Sequence, residues 1–362
     1  MPELRLAVVG AGFMAQTAHI RCFQLAQGAQ VVGLASGRPH LREQVARRFG
    51  IARQYGSWEE VAADPQIDAV VVSLPPEYNP DVCCGLLEAG KHVFAEKPMA
   101  LSVAQAERMA ETSGRTGRLL MIGFMKRYDS GVQRAKAWWD EHVATGEMGN
   151  LVCGRAWCLL GGNWTANIER LVEMVRTDEP QAPKPVADTG PDWLPAALAA
   201  GMPGFASPYY FFNHVHSHNV NLLRHFCGDG YEVIHADLRH RTRLAHIAYG
   251  DAVVTLEVGT GISAHGFEEG LRLYLEKATI EVLPPPPLLM QGGAEVRIFQ
   301  GGDVQEFQQP MGEWDWSFRR QAQEFVDCVR EGREPVTAAA DSVGDLRMVE
   351  DIFRCAIDRG LC

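Results

Sequence analysis

The chain has 362 residues, enough for two domains of ordinary size, and 46% of them are hydrophobic, which suffices for substantial cores. A formal charge of −11 argues against a nucleic acid or an anionic membrane as partner, since both require basic surfaces. No apolar run approaches the length of a membrane span, the nine cysteines show no zinc-like pair of C-x-x-C elements, and the first strand begins almost at once, so the expectation is a cytoplasmic protein with reduced thiols.

Residues 4–9 form an apolar run that reads as a buried strand. Gly10-Ala-Gly12-Phe13-Met14-Ala15 follows, and residues 16–25 are compatible with a helix. In a dinucleotide site Gly10 permits the tight turn, Gly12 lets backbone N–H groups approach a pyrophosphate, and Ala15 lets the helix pack close to the strand. The G-x-G-x-x-A pattern alone fits any strand-to-helix turn, so the context decides. A second strand at 30–35, a helical stretch at 41–49 and an apolar strand at 69–74 continue the alternation, which implies a parallel sheet covered on both faces. Gly10, Gly12, Phe13 and Met14, with Leu74 and Pro75 at the end of the third strand, are the expected cofactor contacts.

After the second strand, where NAD enzymes usually carry a carboxylate for the ribose 2′-hydroxyl, this chain has Ser36-Gly37-Arg38. Arg38 can neutralise a 2′-phosphate and Ser36 can donate to it, which leans towards NADP, although such a loop is compatible with NAD and Arg38 also reads as a solvated cation. The cofactor is therefore expected to be NAD or NADP. Further on, His92-Val-Phe-Ala-Glu96-Lys97-Pro98 places a lysine at the end of an apolar strand, which points to hydride transfer on an alcohol, with Glu96 steadying Lys97 or the cofactor.

These stretches, with Leu86-Leu87-Glu88-Ala89-Gly90-Lys91-His92-Val93, Gly123-Phe124-Met125-Lys126-Arg127-Tyr128 and a closing Arg330-Glu331-Gly332-Arg333-Glu334-Pro335, resemble the glucose-fructose oxidoreductase, inositol dehydrogenase and rhizopine-catabolism (Gfo/Idh/MocA) family. The resemblance covers residues 4–128 and 316–356 and implies an α/β chain. Its N-terminal Rossmann domain (1–125) would precede an α+β substrate-binding domain (126–362) with a large, mostly antiparallel open sheet. It also implies a homo-oligomer and a small-molecule sugar or glycoside substrate.

The family's second signature, aspartate, three residues, histidine, two residues, aspartate, falls on His214-Val-His216-Ser-His218-Asn219-Val-Asn221. In that register His218 matches the histidine, while His214 and Asn221 replace the aspartates. Residues 219–226 read as an amphipathic helix that packs through Val220, Leu222, Leu223 and Phe226. Oxidising a secondary alcohol requires a group that takes the hydroxyl proton while hydride leaves the carbon. The expected catalytic residues are His218 as proton acceptor and Lys97 as the positioning and polarising group, roles the two can exchange, with His214 beside them. Lys97, Arg127, Trp164, Tyr210, His214 and His218 are the expected substrate contacts. Three alternate histidines, 214, 216 and 218, would converge on a metal only in an extended segment, and the chemistry requires no metal.

Residues 161–210 form a loop-rich insertion with helix candidates at 168–175 and 193–200. Trp164, Trp193, Tyr209 and Tyr210 offer flat faces to a sugar ring, and Asn163, Asn167 and Asp192 can reach hydroxyls, which favours a bulky glycosylated substrate; packing of the insertion is the plainer use. The acids Glu169, Glu173, Asp178, Glu179, Asp188 and Asp192 read either as a solvated surface or as a lure for a cationic amino sugar. Strands are expected at 153–160, 232–239, 244–249, 252–260, 270–276 and 278–283, a break at Pro284 to Pro287, and helices at 316–330 and 341–357. The leading expectation is an NAD(P)-dependent oxidoreductase acting on a sugar or glycoside hydroxyl. A redox-assisted glycosidase and a non-catalytic dinucleotide sensor are the alternatives.

Overall fold

The computed structural model describes residues 3–161, 172–180, 206–261, 266–302 and 304–361. They form two compact units, one made of 3–124, 172–180 and 318–346, the other of 125–161, 206–317 and 347–361.

The first unit alternates strand and helix: β1 (Leu4–Val9), α1 (Ile20–Leu25), β2 (Ala29–Ala35), α2 (Pro39–Phe49), β3 (Arg53–Tyr55), α3 (Trp58–Ala63), β4 (Ala69–Val72), α4 (Asn79–Glu88), β5 (His92–Ala95), α5 (Val103–Thr116) and β6 (Leu120–Ile122). All strands pair in parallel in the order β3-β2-β1-β4-β5-β6. The Ala-Val-Val-Val run of β4 is buried throughout, as a central strand covered on both faces requires. Helix boundaries follow local chemistry. Ser102 caps α5 by accepting from Gln105 N at 3.3 Å, and Gly50 and Gly117 end α2 and α5 at φ 67° and 63°, a left-handed conformation that glycine adopts without cost.

The sequence placed everything after 125 in the second domain, and the C-terminal part departs from that. Phe325 meets Phe23 and Phe94 edge-on with centroids 5.9 Å apart in both pairs, and Thr337 Oγ1 donates to Ile122 O at 2.7 Å. Burying a phenylalanine stabilises by about 1.5–3 kcal/mol, so the amphipathic helix α9 (Ser317–Glu331), introduced below in its place in the chain, returns to the Rossmann sheet.

The second unit contains α6 (Ser130–His142), β7 (Leu151–Leu160), α7 (Ala206–Phe211), α8 (Ser217–Cys227), β8 (Glu232–Asp237), β9 (Thr242–Tyr249), β10 (Ala252–Thr260), β11 (Phe267–Leu275), β12 (Ala278–Leu283), β13 (Glu295–Gln300) and β14 (Glu306–Gln308), and, after α9 in the first unit, α10 (Ala339–Asp358) from Arg347 onward. Its sheet runs β14-β13-β12-β11-β7-β10-β9-β8, antiparallel except for the β7–β10 pair. Alternate residues of β10 and β13 are buried, and Val254, Leu256, Val296 and Ile298 pack against Val132 and Ala135 of α6, Val220 and Leu223 of α8, and Ile352 and Phe353 of α10. The other face carries cross-strand pairs such as Arg155 with Glu257 and Arg297 with Glu281. Among the described residues no helix is long and apolar enough to cross a membrane.

Candidate active site

In the first unit the chain after β1 turns at Gly10, whose φ is +106°. A Cβ there would lie 2.2 Å from the Ser73 carbonyl oxygen, so only glycine fits between β1 and the end of β4. Gly12 contrasts with it, because a Cβ built on Gly12 meets nothing within 4 Å. The helix begins at Phe13, passes through a π-type turn at Ala15–His19 and continues as α1. Its first N–H groups, including those of Phe13 and Met14, have no carbonyl one turn back, and Ala15 is fully buried against the strand. An open glycine beside free helix donors fits a pyrophosphate.

A cavity of about 330 Å³ lies at this turn, lined by Gly10, Gly12, Ser36, Gly37, Arg38, Leu74 and Pro75 together with Trp58 and Tyr78. The structure thus brings together the residues nominated at both glycines, at the end of β2 and at the end of β4. Trp58 was not singled out from the sequence; it lies on α3, and its ring also fills the space beside Gly85.

At the end of β5 the Lys97–Pro98 peptide is cis. The Glu96 carboxylate is buried and shared: Oε1 meets His19 Nε2 at 2.6 Å and Oε2 accepts from Lys97 N at 3.0 Å. His19 is 1% exposed and walled by Phe23, Phe94 and Phe318. Asn79, equally buried, donates through Nδ2 to Glu96 O and Pro98 O, both at 3.1 Å, and so spans the lysine. His19 and Asn79 were missed in the sequence because each lies far along the chain from its partner.

In the second unit Phe212–His216 is a π-type helical turn that runs into α8. A helical segment does not project alternate residues to one side, so His214, His216 and His218 do not converge. His214 is exposed, and its Nδ1 lies 2.7 Å from Tyr210 O. A carbonyl only accepts, so Nδ1 carries the hydrogen and Nε2 is the acceptor of the neutral ring. His218 is partly exposed on the first turn of α8. His216 is fully buried between Phe211 and Phe212, both ring nitrogens lack a partner among the described residues, and burial, reinforced by the charges of Arg243 and Lys126, pushes its pKa down to about 3.

Buried polar contacts fix α8. Lys126 pairs with Glu269 of β11, whose Oε1 also accepts from Asn219 Nδ2 at 3.1 Å. Arg127 was expected to meet substrate; it is 3% exposed and donates through Nε to Asn221 Oδ1 at 3.0 Å and through Nη2 to Asn221 O at 3.3 Å. Its guanidinium therefore holds α8, and Asn221 supplies the acceptor that the expected aspartate would have given. Tyr209, offered as a stacking face, is instead in the core against Phe353 with centroids 5.1 Å apart, while Tyr210 packs partly against the same core. Trp164, Trp193, Asn163, Asn167 and Asp192 lie outside the described residues.

Residues 172–180, the described part of the insertion, are a turn followed by irregular backbone, where a helix was expected to run to 175. They are held against the first unit. Gln16 pairs with Val175 through both amide atoms, at 3.0 and 2.9 Å, while also donating to Ala11 O at 2.8 Å. Arg48 binds Val172 O and Glu173 O. Glu179, read from the sequence as a solvated acid or a lure for cationic sugars, accepts from His40 N at 3.2 Å and Leu41 N at 3.1 Å.

Residues 4–124 match the model of the Gfo/Idh/MocA oxidoreductase family with an NAD-binding Rossmann fold. The scyllo-inositol 2-dehydrogenase (NAD(+)) of Bacillus subtilis is 32% identical over 147 residues, which cover 41% of this chain and 42% of the relative, so the match spans less than half of that protein. A 3-ketoreductase of Actinomadura kijaniata in complex with NADP superimposes with a TM-score of 0.70 at 20% identity over 97% of each chain. Levoglucosan dehydrogenase in complex with NADH and levoglucosan gives 0.75 at 18% identity over 98% of each. At these identities the two structures speak to the fold alone.

Proposed function

We propose that this chain, whose residues 4–124 match the Gfo/Idh/MocA oxidoreductase family, interconverts a secondary hydroxyl and a ketone on a sugar or glycoside with NAD or NADP. The observation that carries the reading is the end of β5, where a carboxylate held by His19 fixes the backbone of Lys97 in the unit that contains the dinucleotide cavity. A lysine so anchored is preorganised to act on a substrate oxygen. One relative is named a scyllo-inositol 2-dehydrogenase, and neighbours in fold are named a levoglucosan dehydrogenase and a 3-ketoreductase, which supports a polyhydroxylated ring as substrate class.

The nicotinamide, when bound, supplies the hydride acceptor or donor. Gly10, Gly12, Phe13 and Met14 would hold its pyrophosphate, Ser36 and Arg38 the adenosine ribose, and Leu74 and Pro75 the floor of the cleft. Lys97 donates a hydrogen bond to the reacting hydroxyl and stabilises negative charge on that oxygen. In the second unit His218 is the histidine that the signature nominates for proton exchange. His214, with Nδ1 committed to Tyr210 O, presents Nε2 as an acceptor for a substrate hydroxyl.

The test is turnover with NAD or NADP against glycosides, amino sugars, free sugars and inositols, following reduced nicotinamide and keto product together. Lys97→Ala is expected to bind NADH as the parent does and to lose about 10²–10⁴-fold in turnover, the usual range for a general acid–base group. Unchanged turnover in that variant would remove the assignment.

A further inference from the structure

The helix that follows β2 begins without a cap of its own. Arg38 stands at its N-cap position with φ −105° and makes no side-chain capping bond, Pro39 has no N–H to offer, and the first turn contains no acid. The donors that remain at the start of α2 are aimed outward from the positive end of a helix, and such a place favours an anion. In this protein that anion comes from 138 residues further along the chain: the Glu179 carboxylate takes the N–H groups of His40 and Leu41, one oxygen to each. Thr177 orients it, its hydroxyl donating to Glu179 Oε2 at 3.3 Å while accepting from Glu179 N at 3.2 Å. The segment itself is tied down at Gln16 by Val175 and at Arg48 by Val172 and Glu173, so the acid is held in place rather than loosely tethered.

The neighbouring residues give this contact its meaning. Ser36, Gly37 and Arg38 line the dinucleotide cavity immediately before α2, at the place where a dinucleotide fold meets the adenosine ribose. A 2′-phosphate on that ribose would turn towards the same helix start, and Arg38 invites it. A carboxylate already seated there presents it with like charge and with donors that are taken. We propose that Glu179 sets the cofactor preference of this protein: it fills the anion position of α2 that a 2′-phosphate would otherwise use, and so disfavours NADP relative to NAD against the pull of Arg38. The inference rests on the reading of the first unit as the NAD(P) site.

The experiment is equilibrium titration of the full chain with NADH and NADPH, read by nicotinamide fluorescence without substrate, for the parent, Glu179→Gln and Glu179→Lys. Glutamine keeps an oxygen acceptor for one N–H group and removes the charge; lysine reverses it. Two unit charges a few ångströms apart near a protein surface interact by enough to change an equilibrium about tenfold or more, so the ratio of the NADPH to the NADH dissociation constant is expected to fall about tenfold in the Gln variant and further in the Lys variant. A ratio that stays within about twofold of the parent in both variants, with NADH still binding, overturns the role of Glu179 and leaves the nucleotide site standing. Failure of the parent to bind either nucleotide overturns both.

Discussion

Replacing His19 with phenylalanine removes the imidazole that meets Glu96 while keeping an aromatic ring among Phe23, Phe94 and Phe318. The two side chains are 1% and 8% exposed and 2.6 Å apart, so the loss falls on a carboxylate with little access to water. Its Oε2 keeps the Lys97 N–H, but Oε1 then faces rings. Breaking one side of a buried pair costs about 3–5 kcal/mol, whereas replacing both sides with apolar groups is often close to neutral. In a unit of this size each kcal/mol moves the melting temperature by about 2–4 °C, so His19→Phe is expected to melt roughly 6–20 °C lower. The double variant His19→Phe/Glu96→Met should recover most of that loss in both urea denaturation and scanning calorimetry. Turnover supplies a readout that stability alone does not move. Glu96 positions the Lys97 backbone, and a misplacement of about 1 Å in a reacting group can lower kcat by about 10²-fold, so the double variant, though stable, should turn over slowly. A single variant within about 1 kcal/mol of the parent would refute the view that His19 holds a buried carboxylate in place.

The two glycines of the turn separate folding from binding. Gly10→Ala forces a Cβ to 2.2 Å from Ser73 O at a positive φ, and the strain should cost about 2–4 kcal/mol in urea denaturation, whereas Gly12→Ala, whose Cβ enters open space, should fold like the parent and lose NADH affinity; equal behaviour of the two in both assays would contradict the geometry. His216 makes stability depend on acid. Its pKa is about 3 when folded and about 6.5 when unfolded, so its neutral, buried form is stable in full above pH 6.5, and each unit of pH below that lets the unfolded chain bind a proton that the folded chain refuses. His216→Phe should reduce the fall in unfolding free energy between pH 6 and pH 4 by about 1.4 kcal/mol per pH unit, and identical slopes in parent and variant would mean that the imidazole is solvated.

What the sequence made legible was local. Strands β1, β2 and β4, the glycine turn and the lysine after β5 each have a pattern within ten residues, and the cavity is lined by Gly10, Gly12, Ser36, Arg38, Leu74 and Pro75 from among the nominated residues, though not by Phe13, Met14, Glu96 or Lys97. Strand β13 was missed although Val296 and Ile298 alternate with polar neighbours, because it lies between the proline run and a glycine-rich turn. Partnerships across the chain leave no such trace: Gln16 with Val175, Glu179 with α2, Asn79 with the two sides of Lys97 and Lys126 with Glu269 follow only from the folded positions.

The signature around His218 shows how this can mislead. Read along the helix, replacement of its aspartates by His214 and Asn221 removes negative charge from the neighbourhood of His218. In the folded second unit a carboxylate is supplied from elsewhere, since Glu269 on β11 neutralises Lys126 and accepts from Asn219, the residue after His218. Asn221, neutral and able to accept, then suffices for Arg127, which takes its side chain and its carbonyl together. A carboxylate in place of Asn221, which is 1% exposed, would have to be desolvated, a cost that asparagine avoids.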